Sequence, residues 1–135
     1  MKRAALAAAG YMRKAERALE EARLLLRDKK TEGACSRAYY SMRDAAHAAL
    51  LATGFESPEA IIKTHQSLVA EFGKKLVLSG RIDATFGRAF NKVRDMRQLA
   101  DYSDESPPLD ETRSAVAQAE AFVAAIRSLV ERLAR

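Results

Sequence analysis

The sequence predicts an all-α protein, an up-and-down antiparallel bundle of four main helices plus a short one. Three observations carry this. Alanine is the commonest residue, 27 of 135, and it comes with Leu, Arg, Glu and Lys, all good helix formers. Turn formers are scarce, with 6 Gly and 3 Pro. Apolar residues make up 48% of the chain and recur at three- and four-residue spacing rather than alternating. A β-sandwich, a barrel and a Rossmann unit are excluded on this pattern, and disorder is disfavoured. A chain of 135 residues suits one domain, residues 1–135.

The first helix is expected over Lys2 to Arg27, where Tyr11, Ala15, Ala18, Ala22 and Leu25 form the apolar line. Asp28-Lys29-Lys30-Thr31 breaks the pattern. The second helix runs from about Glu32 to Thr53 along Ala34, Ala38, Met42, Ala45 and Ala49, widened by Tyr39, and Gly54 suits its C-terminal cap. Ser57-Pro58-Glu59 is a helix-start signal: a hydroxyl cap, a proline, then a carboxylate. A third helix is expected from about Thr64 to Leu78, closed by Gly80. The fourth spans about Asp83 to Tyr102, with Phe86, Ala89, Phe90, Val93, Met96 and Ala100 inward. Ser103 to Pro108 reads as a loop, and the last helix starts near Asp110. A bundle so thin for its length leaves apolar surface over, which favours a homodimer.

The formal charge is +5, which suits RNA, a nucleotide or an acidic partner without selecting one. An Arg-rich soluble surface would give the same value. The lone Cys35 cannot form an internal disulfide, so a reducing cytoplasm is the simplest setting. Met1-Lys2-Arg3 and the alanines after it lead straight into charged residues and read as a helix start rather than a signal peptide. No stretch approaches the roughly 20 apolar residues of a membrane span, and no membrane association is expected.

The common catalytic motifs are absent. His47 and His65 have no second His or Cys at ligand spacing, so no metal site is expected, and no cofactor. No Gly-rich phosphate loop occurs. Polar residues gather in three places instead. Arg37, Tyr40, Arg43, Asp44 and His47 share neighbouring stripes of the second helix, forming either a polar seam or a binding wall. In Lys63-Thr64-His65, Thr64 can cap the third helix, with His65 over its N-terminus near an anion site. Arg94, Arg97 and Asp101 lie three and four apart on the fourth helix, beside Tyr102. An Arg97–Asp101 pair is a modest surface contact if exposed. Doubled at a dimer axis it becomes a fork for phosphate.

These residues together resemble a known family. The run Arg37-Ala38-Tyr39-Tyr40-Ser41-Met42, then Lys63-Thr64-His65, Phe72 and Gly80, then Arg97-x-x-Ala100-Asp101-Tyr102, is similar to the small stand-alone prokaryotic HEPN domains along nearly the whole chain. The resemblance implies a helical bundle and a homodimer. It implies a partner of the minimal nucleotidyltransferase type in a toxin–antitoxin or defence module, and in several branches a metal-independent ribonuclease. The family's nuclease motif is an Arg followed, after four to six residues, by His. Arg97 stands at the Arg position, but after four intervening residues Tyr102 takes the place of His. A free tyrosine, with a pKa near ~10, does not exchange protons at neutral pH as His does.

The leading expectation is therefore a HEPN-type dimer binding a nucleotide, RNA or a nucleotidyltransferase. Arg94 and Arg97 would hold phosphate, Asp101 would orient Arg97, and Arg37, Tyr40 and Lys63 would complete the binding surface. Tyr102 would stack, donate a hydrogen bond or accept a nucleotidyl group. The first alternative is a ribonuclease toxin using Arg97 with His65 or Tyr102 in a composite dimer site. The second is a structural helical adaptor.

Overall fold

The computed structural model describes residues 2–59 and 68–135, and these are helical apart from their connections. The helices are α1 (Lys2–Arg27), α2 (Thr31–Ala52), the short α3 (Leu68–Phe72), α4 (Ala84–Tyr102) and α5 (Leu109–Ala134). Where residues are described, the expected helices agree within a residue or two, and Ser57-Pro58-Glu59, read as a helix start, forms a turn. The beginning expected for the third helix, with Lys63, Thr64 and His65, lies outside the described residues.

Local chemistry sets the boundaries. Lys29 takes φ +58° in the break between α1 and α2, and the Lys30 N–H donates to the Leu25 carbonyl, closing the end of α1. Gly54 and Gly80 have φ +84° and +81°, the left-handed region where a Cβ is penalised. They end α2 and the third helical segment, as their positions predict. That segment differs from expectation in one respect. After Phe72 it widens into a π-helical turn, Gly73–Val77, and the Leu78 N–H reaches back five residues to the Gly73 carbonyl. Asp83 caps α4 by accepting from the Thr85 N–H at 2.9 Å. Pro108 precedes α5, and its carbonyl accepts from the Thr112 hydroxyl at 2.8 Å.

Residue pairings give the topology. Leu25 meets Gly33, Glu21 pairs with Arg37, and Tyr11 packs on His47. The two numbers sum to 58 each time, so α1 and α2 run antiparallel. Glu16 with Arg127 and Arg23 with Glu120 show that α5 is antiparallel to α1 as well. α2 is the central helix, packed against α1, α4 and α5. Its alanines 34, 38, 45, 46, 48 and 49 are fully buried, and their small side chains let three neighbours approach. An aromatic knot closes the other side. Phe72, Phe90 and Phe122 lie within 5.1–5.5 Å of one another, and Tyr39 extends the group at 6.0 Å from Phe90.

Candidate functional site

The site begins with an interruption in a core stripe. Along α4, Phe90, Val93 and Ala100 are buried. Arg97 falls four residues after Val93 and three before Ala100, on the same side of the helix. An arginine at a core-facing position must bury its stem and bring its head out at an edge. Its side chain is 21% exposed, and the ring of Tyr39 on α2 lies against its guanidinium at 4.8 Å, with Tyr40 at 5.9 Å. Asp101 accepts from Nη1 at 3.0 Å. Nε is buried and has no hydrogen-bond partner.

Tyr40 is the hub of this edge. Besides Arg97, the guanidiniums of Arg43 and Arg37 lie at 4.5 and 5.0 Å from its ring centre. Each is steadied by one carboxylate, Arg43 by Asp44 at 3.6 Å and Arg37 by Glu21 at 3.3 Å. Cation–π contacts of this kind contribute roughly 0.5–1 kcal/mol at exposed sites. Their larger effect is to fix planar donors in place.

The structure brings Arg97, Asp101, Tyr40 and Arg37 together. Arg94 is turned to its neighbour Asp95, at 3.1 Å. Tyr102 stands 90% exposed at the end of α4. It is five residues beyond Arg97, about 140° around the helix, so it leaves the Arg97 stripe. Leu99, 71% exposed, protrudes on the same side as Tyr102. A groove of about 270 Å3 beside it is lined by Met96, Ala100, Pro107 and Pro108 among others. Lys63 and His65 lie outside the described residues.

Sequence reasoning places Tyr39 and Arg43 in the polar cluster of the second helix without assigning either a partner. Tyr39 also fits the apolar line of α2, and its ring carries Arg97. Arg43 flanks Tyr40. The available signal is an arginine set in the α4 core stripe, which requires an aromatic or acidic neighbour on the facing helix.

A second polar group is closed off. His47 is 1% exposed, packs on Tyr11 at 5.3 Å, and places Nδ1 3.4 Å from Glu56. Asp44 is buried close by. Burial raises the Tyr11 pKa, the carboxylates of Asp44 and Glu56 raise it further, and Arg43 opposes them. Tyr11 therefore remains a protonated phenol. Cys35 is buried, its thiol pKa is raised by that burial, and it donates to Thr112; it is an inert core thiol. Among the described residues, no group of His, Cys, Asp and Glu is placed to hold a metal. No described helix is long and apolar enough to cross a membrane.

The fold and this edge define a class: a helical bundle with arginines gathered around tyrosine rings at one edge. Comparison with known proteins gives the family. Residues 8–132 match the HEPN domain, and the chain belongs to that family. It is 29% identical to a UPF0332 protein of Thermotoga maritima over 93% of this chain and 92% of that one. It is 31% identical to a protein of Methanocaldococcus jannaschii named as a candidate toxin, covering 88% and 85%. A UPF0332 protein of Gloeobacter violaceus is 33% identical over 67% and 68%.

Proposed function

We propose that this chain is a one-domain HEPN protein that binds RNA through phosphate contacts at Arg97, as the toxin-type member of a toxin–antitoxin module. The observation that carries the reading is the state of the Arg97 head. It is held by Tyr39, Tyr40 and Asp101, while the buried Nε lacks a partner. A guanidinium has five donors, and a phosphate can take two at once. Leaving a buried donor unsatisfied costs about 1–3 kcal/mol; Nε is closed to solvent in this conformation, so an anion relieves that cost by drawing the head outward on its long stem. Family membership and the similarity to a candidate toxin support the module.

In this reading the active form is a homodimer. Leu99 and Tyr102 protrude beside the α4 groove, and a second copy would cover them. Leu99→Glu should then yield a monomer by light scattering with an unchanged helical spectrum. A dimer of undiminished affinity would place the interface elsewhere. The partner is a minimal nucleotidyltransferase, for which exposed Tyr102 is an accessible acceptor. Its phenol oxygen would attack the α-phosphorus of a nucleoside triphosphate, releasing pyrophosphate and the phenolic proton. Intact mass after incubation with that partner and ATP tests this, and an unmodified Tyr102 would reject it.

The test of the main reading is incubation with a mixed RNA pool in EDTA, beside Arg97→Ala and Arg97→Lys. RNA should be retained uncut by the wild type, weakly by Arg97→Lys and least by Arg97→Ala. Equal retention by all three would refute the Arg97 site. Cleavage by the wild type alone would favour the ribonuclease reading, with proton transfer by Tyr102 or His65.

A further inference from the structure

A second cationic feature shares Arg37, Tyr40 and Arg43 with the Arg97 edge and extends it onto α1. Between α1 and α2 is a cleft of about 430 Å3, walled by Lys14 and Arg17 on one helix and by Arg37 and Arg43 on the other, with Ala18 between them. Two helical stripes create it. Lys14, Arg17 and Glu21 are spaced three and four apart on α1, and Arg37, Tyr40 and Asp44 repeat that spacing on antiparallel α2. The antiparallel pairing brings the two stripes face to face, and small Ala18 leaves the space between them open.

The charges do not cancel. Glu21 is engaged by Arg37 and Asp44 by Arg43, whereas neither Lys14 nor Arg17 forms an ion pair among the described residues. The α2 guanidiniums are fixed on the Tyr40 ring, unlike solvated surface lysines. The cleft runs from the level of Lys14 to that of Glu21, about 10 Å of helix, longer than one phosphate group. The same Tyr40 ring also approaches Arg97, so the cations form one path from α4 across α2 to α1.

We propose that the α1–α2 cleft is a phosphodiester subsite, holding the backbone of a single-stranded RNA whose neighbouring phosphate sits on Arg97. The identity of the polyanion rests on the reading of Arg97 given above; the cleft itself does not. A cationic groove that tracks the backbone is how single strands are held without sequence preference. Lys14, Arg17, Arg37 and Arg43 bind phosphate oxygens. Tyr40 is a positioning residue, since its ring is occupied by arginines and is not a platform for a base.

The experiment is a fluorescence-anisotropy titration of the full chain with a short labelled oligouridylate over a series of salt concentrations. The variants are Lys14→Ala/Arg17→Ala, whose side chains are exposed, and Arg97→Ala, with circular dichroism confirming the fold of each. Removing one cation from the phosphate backbone should lower the salt slope by about 0.7, so the double variant should fall by about 1.4. An unchanged slope in the double variant overturns the cleft and leaves the Arg97 site standing. A reduced slope there, with wild-type binding by Arg97→Ala, confirms the cleft and rejects the Arg97 site. No binding by wild type at low salt rejects both. Inorganic phosphate and a nucleoside diphosphate are run as competitors against sodium chloride of equal ionic strength. Specific displacement by either would make the occupant a small phosphate compound and overturn the RNA assignment.

Discussion

Two polar regions flank the central helix α2, built from similar residue types and finished differently. In the closed one, His47 is almost wholly buried, packed on the Tyr11 ring with Nδ1 facing Glu56, while Asp44, buried close by, pairs with Arg43. In the open one, Arg97 is carried to an edge by Tyr39, Tyr40 and Asp101, and a buried Nε is left without a partner. A polar group that finds its partners within the fold stabilises the fold. One held in place with unused donors is available to a ligand. His47 has the more familiar catalytic chemistry, yet it is buried in the closed region; the arginine is the residue proposed above to bind.

This contrast can be broken first at the closed end. His47→Ala should lower the unfolding free energy by about 2–3 kcal/mol, as other buried large-to-small changes do. Urea denaturation measures this, and RNA affinity per folded molecule should not move. Arg97→Ala should do the reverse. Its exposed ion pair and ring contacts are worth about 1 kcal/mol or less to the fold. Without its charge-assisted hydrogen bonds, RNA binding should weaken about tenfold or more.

Tyr40 sharpens the comparison because it belongs to the open region through its ring face alone. Tyr40→Ala should release three guanidiniums and weaken RNA binding about fivefold, less than removing an arginine outright. Tyr40→Phe should retain wild-type affinity. The smallest effect is expected at Tyr11. Its folded pKa lies above the ordinary value of 10.0, chiefly through burial. The folded state therefore keeps this proton when the unfolded state loses it, and stability contributed below that pH falls as pH rises through the folded pKa. Tyr11→Phe should flatten this alkaline decline in a pH series of denaturation curves.

The helices are legible because the apolar spacing, Gly54, Gly80 and the Ser103–Pro108 loop are local signals that tertiary packing does not overrule. The π-turn at Gly73–Val77 is not, since periodicity there continues through an inserted residue. In the site, the Arg97–Asp101 pair can be read from an i, i+4 spacing. The support of Arg97 by Tyr39 cannot, because Tyr39 also fits the apolar line of α2 and spacing within one helix is silent about the facing one. Nor can the sequence tell that His47 is interior while Arg37 is at an edge, since both occupy neighbouring stripes. That distinction comes from the placement of α1.

The most direct test is an RNA titration of wild type, Arg97→Ala and His47→Ala, at a temperature where all three are folded. The account predicts that Arg97→Ala loses about tenfold in affinity while His47→Ala binds as the wild type does. Wild-type affinity in Arg97→Ala, or its loss in folded His47→Ala, would contradict the division between an open binding region and a closed structural one.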